Sequence, residues 1–191
     1  MEAVLGLGIA SLFGFVFGIL FAHVRVAERM ILPYFIASQA VPIVAVAPLF
    51  ILWLGNGITS KVGMAALICF FPVTVNSSRG LRSVSQEHVD LFRINAASAA
   101  QIFWKLRLPA SLGYVMTGLR VSAALAMIGA IVAEYAGANQ GIGYVIMQAT
   151  YRLDTPLLFA AILFSALGGF CIFGVVVLLD RYFFAEYSRT E

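Results

Sequence analysis

Charged residues are scarce in this sequence. Only 11% of its 191 residues are Asp, Glu, Lys or Arg, and 62% are hydrophobic, against about 25% and about 45–50% in ordinary soluble domains. A chain of this size cannot hide so much apolar surface in one compact core, which excludes a water-soluble globular domain. The twelve basic residues are scattered between apolar runs, which argues against nucleic acid as a partner. We expect an integral protein of a lipid bilayer.

Residues that carry catalysis or bind metals are also few. The two cysteines, Cys69 and Cys171, lie in apolar segments without CxxC spacing, so we interpret both as small packing residues. The two histidines, His23 and His88, lie far apart and outside any ligand cluster. No lysine follows a glycine, which excludes a Walker A loop, and no GxSxG elbow occurs. We therefore expect that the chain is not an enzyme and has no metal or cofactor of its own.

Long apolar runs fill most of the chain. Ala3–Ala22 contains no charge, and twenty residues in a helix extend about 30 Å, the thickness of a bilayer core. The glycine-rich stretch 137–151 is too short to cross and is predicted to be re-entrant or interfacial. Gly14 and Gly18 form a GxxxG pair, which favours close packing of the first helix. The sequence predicts one all-α, polytopic helix bundle with about five spans, near residues 3–22, 31–54, 62–76, 112–133 and 157–179.

The second apolar run carries three prolines. Pro33, Pro42 and Pro48 lie in it together with the polar Ser38 and Gln39. Proline removes a backbone donor, so this helix is expected to be kinked or broken. Such a segment is tolerated in lipid where neighbouring helices or water satisfy the freed carbonyls, which predicts that it lies near the protein interior.

Basic residues in alternate connections predict the orientation, because Lys and Arg are retained on the cytoplasmic side. The opposite side has only Lys61 and Arg152, and Arg120 lies inside the fourth span. The segment 83–109 and the C-terminus are therefore expected in the cytoplasm of a multi-pass cell-membrane protein. The N-terminus would then be outside, directly before a span, so we expect that one N-terminal helix is missing from this chain. The residues of the more basic side are Arg25, Arg29, Arg79, Arg82, Arg93, Lys105, Arg107, Arg181 and Arg189.

The segment 83–109 is long for a connection between helices and is predicted to have its own structure. Ser83 with Gln86 and Ser98 with Gln101 both fit the capping-box pattern, so two short helices are expected. The second helix is expected to stop at Pro109.

The two short helices are joined by the small-residue elbow 95–97 and carry apolar anchors. An amphipathic helix in a partner's groove is a common recognition mode, and a helix pair at a membrane mouth can transmit a partner's motion. The alternative is that Phe103 and Trp104 simply lie in the headgroup belt, where tryptophan is enriched. The apolar anchors are Phe92, Ile102, Phe103 and Trp104.

Four polar residues in or at the ends of spans are candidates for a pathway or gate. Arg120 is costly in lipid, so it should pair with a carboxylate, for which Asp180 on the same side is available, or serve as a gate or substrate contact. Glu134 ends the fourth span, where it is solvated or contributes to a gate or binding-protein contact. Gln39 and Asn76 either line a pathway or bond neighbouring helices.

Residues 90–109, DLFRINAASAAQIFWKLRLP, resemble the EAA loop of ABC-importer permeases, which reads EAA, three residues, Gly, nine residues, Ile, one residue, Leu-Pro. The terminal Leu108 and Pro109 match, Leu106 takes the Ile position, and Ala96 takes the Gly position. Residues 90–92, Asp-Leu-Phe, stand where the family has EAA.

The resemblance extends to residues 38–55, SQAVPIVAVAPLFILWLG, and 117–146, TGLRVSAALAMIGAIVAEYAGANQGIGYVI. Both are similar to the nitrate, sulfonate and taurine branch of these permeases, which includes pyrimidine-precursor and riboflavin-type relatives. That branch normally has about one more N-terminal helix. The resemblance implies a pathway-forming subunit in a homodimer or pair, with cytoplasmic ATP-binding subunits that hold ATP and Mg, and an extracytoplasmic binding protein. It assigns ATPase coupling to Asp90, Phe92, Arg93, Asn95, Ala96, Ala97, Ser98, Phe103, Trp104, Leu108 and Pro109.

A membrane scaffold and a proton-coupled secondary transporter are the alternatives from other functional classes. A membrane scaffold would use the 83–109 helices to recruit a partner without transport. A proton-coupled secondary transporter is disfavoured because the spans lack acidic relays and the chain has no evident internal repeat. No span has an anion-binding cluster beyond Arg120, so the sequence favours neither a sulfonate or nitrate nor a neutral heterocycle as substrate.

Overall fold

The fold is that of a computed structural model, which describes residues 1–183; Arg189, counted above among the basic residues, lies outside them. Within this range the chain is helical and contains no β-strand, which confirms the predicted all-α class. The helices are α1 Glu2–His23, α2 Arg25–Ser38, α3 Ile43–Leu54, α4 Ile58–Arg82, α5 Gln86–Ile94, α6 Ala99–Ile102, a π-helical turn Phe103–Arg107, α7 Leu108–Gly137, α8 Ile142–Arg152 and α9 Thr155–Phe183.

Four of the described helices are long and apolar enough to cross a membrane, and a fifth span is possible. The bent pair α2 and α3 meets at 103° and makes five if it counts as one span, as the sequence predicted. The 11-residue α8 lies between α7 and α9 in the chain and is too short to cross. The four long helices are Glu2–His23, Ile58–Arg82, Ala99–Gly137 and Thr155–Tyr182.

The second apolar run is broken, as its prolines predicted, but it is not interior within the single chain. α2 has no buried residue, and α3 has only Ala47. The reason is that the carbonyls at the end of α2 find donors locally: the amides of Gln39, Ala40 and Val41 each bond the carbonyl three residues back, at 3.1–3.2 Å. Because these carbonyls are hydrogen-bonded within the break, they do not need to be buried against another helix.

Small residues allow α1, α4 and α7 to pack closely in the centre of the bundle. A Cβ added to Gly18 of α1 would lie 2.5 Å from the Cβ of Ser77 on α4, and one on Gly14 would lie 2.9 Å from that of Val73. This confirms the close packing predicted from the glycine pair. Cys69 of α4 is buried and exchanges hydrogen bonds with Ser122 of α7, at 2.8 and 3.2 Å, whereas Cys171 is exposed on the single chain and is not a packing residue.

Replacing Gly18 with alanine should separate α1 from α4. The added methyl group has no room, so we expect a loss of about 1–3 kcal/mol, the usual cost of overpacking. The control is Gly8→Ala in the same helix, where a Cβ would meet no atom within 4 Å and should stabilise the helix by about 0.5–1 kcal/mol. Thermal unfolding in detergent measures both, and equal effects of the two substitutions would contradict the packing.

Candidate functional site

The 83–109 segment forms a helical hairpin between α4 and α7. Its second helix begins with a complete capping box: the Ser98 Oγ accepts from the Gln101 amide at 3.3 Å, and the Gln101 Oε1 accepts from the Ser98 amide at 2.8 Å. The box predicted at Ser83 is wrong, because Ser83 ends α4 and its Oγ donates to the Gly80 carbonyl at 2.8 Å, while Ser85 is the N-cap of α5.

The second helix of the hairpin does not stop at Pro109. It continues through the π-helical turn Phe103–Arg107 directly into α7. A π-turn bonds each amide to the carbonyl five residues back, as the Leu108 amide does with Phe103. The shifted pattern places Pro109 in the first turn of α7, where its missing N–H is tolerated. One continuous helix therefore joins the hairpin to α7.

The elbow of the hairpin is a Schellman motif built on an alanine. Ala96 has φ +56°, its amide bonds the Arg93 carbonyl at 2.9 Å, and the Ala97 amide bonds the Phe92 carbonyl at 3.0 Å. The Asn95 side chain closes the turn by donating to the Leu91 carbonyl at 2.8 Å. Ala96 thus occupies the left-handed position that glycine normally takes, the same position at which the EAA pattern has glycine.

One side of the hairpin is anchored to the bundle. Val89 and Ile102 are buried, and the Phe103 ring lies 5.6 Å from that of His23 at the end of α1. Ile102 therefore holds the hairpin to its own chain, contrary to its predicted role as an apolar anchor for a partner.

The hairpin also carries an exposed groove of about 310 Å³, whose lining is part apolar and part polar. Ile94 is 83% exposed and Trp104 66%. Asp90, which precedes the lining residue Leu91 in the chain, pairs with Arg93 at 3.3 Å and accepts from Gln86 at 2.9 Å. Exposed apolar side chains around a concave surface are typical of a docking site for another protein. The groove is lined by Leu91, Phe92, Asn95, Ala97, Gln101 and Lys105.

Arg120 forms the ion pair with Asp180 that the sequence predicted. The guanidinium of α7 contacts the carboxylate of α9, whose side chain is 2% exposed, while that of Arg120 keeps 37% exposure. Among the residues that the structure describes, the Arg120 Nε and the Asp180 Oδ1 find no hydrogen-bond partner. The contact joins α7 to α9.

Glu134 is buried at the end of α7 and caps α8. Its Oε2 accepts from the Gly143 amide in the first turn of α8 at 2.7 Å. The N-cap residue of α8 is Gly141, which has no side chain to accept this bond. A carboxylate at a helix N-terminus is stabilised by the unpaired amides and the helix dipole. Beside this cap, Lys61 of α4 pairs with Glu2 of α1 at 3.1 Å, a contact that the sequence did not predict.

The two amides proposed for a pathway are placed differently. Gln39 is exposed in the break between α2 and α3. Asn76 is half-buried on α4, donates to the Pro72 carbonyl of its own helix at 2.8 Å, and faces Gly118 of α7. Arg120 and Glu134 lie on the same helix, α7, about 21 Å apart along its axis, so the four residues do not form one cluster.

Comparison with known proteins gives the family. Residues 14–184 match the family described as binding-protein-dependent transport system inner membrane component. The chain is 38% identical over 177 residues to the formylaminopyrimidine transport permease protein of Halalkalibacterium halodurans, covering 93% of this chain and 71% of that protein.

Two further relatives carry other transport names. The riboflavin transport system permease protein of Chloroflexus aurantiacus is 40% identical over 160 residues, which cover 84% of this chain and 60% of that protein. The taurine transport system permease protein of Escherichia coli is 31% identical over 168 residues, with 88% and 61% covered. These matches favour transport over the scaffold and the secondary transporter. The chain therefore belongs to the inner membrane components of binding-protein-dependent transport systems, the permease subunits of ABC importers, in the sulfonate, taurine, pyrimidine-precursor and riboflavin branch.

Proposed function

We propose that this permease forms the substrate pathway of its importer and binds a separate ATPase through the 83–109 hairpin. The observation that carries the proposal is the exposed groove beside the Ala96 elbow, at the end of two long helices. Closure of the ATPase on ATP would move the hairpin, and the unbroken helix from Ala99 to Gly137 would carry that motion through the bundle. The chain supplies the pathway, whereas ATP and Mg belong to the partner.

The arrangement of basic residues supports a cytoplasmic hairpin and C-terminus. The ends of α1, α4 and α9 and the start of α7 share the hairpin's side, and eight basic residues lie there within the described chain. Lys61, Arg152 and the Glu134 cap lie at the other end, where an extracytoplasmic binding protein would deliver substrate. A second permease copy would complete the pathway. The eight residues are Arg25, Arg29, Arg79, Arg82, Arg93, Lys105, Arg107 and Arg181.

The docking site is tested by introducing a charge at the elbow. In Ala96→Lys the backbone strain stays that of a non-glycine residue, while a long cation is added beside the groove. We expect binding of the cognate ATP-binding subunit to weaken about tenfold or more, as for a residue central to an interface. Co-purification from membranes and ATP-dependent uptake with the cognate binding protein measure this.

The matched control for the docking test is Ala110→Lys. Ala110 is exposed at the start of α7 and does not line the groove, so its replacement should leave association unchanged. Undiminished association and transport in Ala96→Lys would contradict the proposed docking site.

Replacing Ala96 with glycine should stabilise the permease. A non-glycine residue in the left-handed region costs about 1–2 kcal/mol, and glycine removes most of that cost, so we expect a gain of about 1 kcal/mol in the free energy of unfolding. The control is Ala97→Gly, one residue on, which lies outside the positive-φ region and should lose about 0.5–1 kcal/mol. Thermal unfolding in detergent reports both; a loss of stability in Ala96→Gly would contradict the left-handed elbow.

A further inference from the structure

A second cavity lies where the hairpin meets the end of α1. Its volume is about 110 Å³, several times the roughly 10–15 Å³ that one water molecule needs, so a group of the size of a phosphate can enter it. On α5 the cavity is lined by Val89 and Arg93, four residues apart on one helix face, whereas Leu91 and Asn95, on another face, line the groove described above. The two sites share no lining residue.

Three basic side chains, each from a different element, line this cavity. His23 ends α1, Arg93 lies on α5, and Arg107 ends the π-helical turn. The other four lining residues are apolar, and none of the seven is acidic. A concave surface with basic side chains and apolar walls attracts an anion.

The basic side chains have hydrogen-bond donors to spare. Arg107 is half-buried and makes no hydrogen bond or ion pair within residues 1–183. Arg93 uses one nitrogen for Asp90 at 3.3 Å, in a weak pair whose side chains are 61% and 53% exposed. The Nδ1 of His23 lies 2.9 Å from the Ile19 carbonyl, which can only accept, so Nε2 is the ring nitrogen left for a ligand. Two guanidiniums with unused N–H groups match the oxygens of a phosphate.

An exposed apolar stripe of α1 leads away from the cavity into the membrane. Its four residues and His23 fall within about 100° around the helix axis, at 3.6 residues per turn. The stripe covers about 16 Å of the helix from His23, close to half of the roughly 30 Å bilayer core, which the chains of one lipid occupy. A stripe of this length that ends at a basic cavity fits an anionic amphiphile. The four residues are Leu12, Phe13, Val16 and Leu20.

We propose that the cavity binds the phosphate headgroup of an anionic phospholipid, whose acyl chains lie on the α1 stripe. The phosphate accepts from Arg93 and Arg107 beside His23, so the lipid joins the end of α1 to both arms of the hairpin. α1 is long enough to span the bilayer and ends at His23, which places the cavity at the level of the headgroups. Basic pockets between membrane helices on the cytoplasmic side bind such headgroups, and this is the side proposed above to be cytoplasmic.

The test measures lipid binding to the full permease chain, purified in detergent, by native mass spectrometry. Dioleoyl phosphatidylglycerol, which has a net negative charge, is compared with dioleoyl phosphatidylcholine, which has none. We expect the parent protein to bind phosphatidylglycerol about tenfold or more tightly, because each basic residue adds attraction for an anionic lipid. Arg93→Gln and Arg107→Gln should each weaken its binding about fivefold, and both together about twentyfold.

The matched control is Arg29→Gln. Arg29 is exposed on α2 at the same side of the bundle and does not line the cavity, so its replacement should leave phosphatidylglycerol binding unchanged. Thermal unfolding without added lipid shows whether each variant is folded. Because the Arg93 side chain is 61% exposed, Arg93→Gln decides the matter if Arg107→Gln does not fold.

A second comparison separates a lipid from a soluble anion. Inorganic phosphate and glycerol 3-phosphate have the charge but no acyl chains to bury on the stripe, so each should compete with phosphatidylglycerol about tenfold or more weakly than the lipid itself. Equally strong competition by either compound would assign the cavity to a soluble anion and overturn the lipid proposal.

The other outcomes are equally decisive. Equal affinity of the parent protein for the two lipids, or equal phosphatidylglycerol binding by the parent and the double variant, overturns the proposal. An equal loss in Arg29→Gln would mean attraction to the general positive charge of this side, and overturns it as well. Dimers that bind no phosphatidylglycerol would mean that a second copy covers the stripe, with the same consequence. No ATP-binding subunit takes part, so each of these results leaves the docking proposal untouched.

Discussion

Arg120→Met should destabilise the permease by about 4 kcal/mol, because it leaves the Asp180 carboxylate buried without a partner. That carboxylate is 2% exposed in the chain's own fold, and within residues 1–183 its Oδ1 already lacks a hydrogen bond. Asp180→Asn should cost less, about 3 kcal/mol, the low end of the range for a broken buried pair. The difference arises because the Arg120 side chain keeps 37% exposure and can extend toward the headgroups.

The double variant Arg120→Met with Asp180→Leu distinguishes pairing from gating. Replacing both partners of a buried ion pair with apolar residues is often neutral for stability, so we expect the double variant to unfold near the parent's temperature. Unfolding in detergent and ATP-dependent uptake are measured on all three variants. If the double variant is as stable as the parent and transports normally, the pair is structural; normal stability with lost transport would assign Arg120 to the pathway. Additive losses in the double variant would contradict the pair itself.

The membrane spans could be predicted from sequence because each span depends only on the length and hydropathy of its own segment. A run of about twenty apolar residues spans a bilayer whatever surrounds it, and Pro42 marks the break between α2 and α3 through its own missing donor. The ion pair of Arg120 was also predictable, since a cation in a span needs a carboxylate and Asp180 is at the right depth. The effect of Pro109 was not predictable. Pro109 indicated a helix end, but the π-helical turn before it places it in the first turn of α7, where its missing N–H is tolerated.

The contacts that join distant parts of the chain were the ones that sequence did not reveal. Arg82 of α4 donates to the Phe21 and Ala22 carbonyls at the end of α1, but from sequence it was only one of many basic residues, because nothing near it in the chain marks those carbonyls as its acceptors. Lys61 and Glu2 are 59 positions apart, and their pairing depends on how α1 packs against α4. The start of α5 was also ambiguous in the sequence, because Ser83 and Ser85 are both possible N-cap residues. α4 extends to Arg82, so Ser83 becomes its C-cap and Ser85 is the N-cap of α5.

Gly141→Ala should cost about 4 kcal/mol, because it combines a backbone that essentially only glycine adopts with a direct overlap. Gly141 has φ +117° and ψ 173°, and a Cβ there would overlap the Glu134 carboxyl that caps α8. Gly55→Ala is the matched control: Gly55 has φ +78° and a Cβ there would meet nothing within 4 Å, so only the backbone cost of about 2 kcal/mol is expected. The difference between the two measures the overlap with Glu134.

Removing the Glu134 carboxyl tests its overlap with a Cβ at position 141 independently. Glu134→Ala alone leaves the buried Gly143 amide without an acceptor, which should cost about 1–3 kcal/mol. In the double variant with Gly141→Ala, however, the overlap disappears, so the two losses should be less than additive by about 1–2 kcal/mol, as expected for residues in contact. Equilibrium unfolding of the four proteins in detergent closes the cycle. Strict additivity would mean that the carboxylate does not lie over Gly141, and the cap on α8 would have to be assigned to another group.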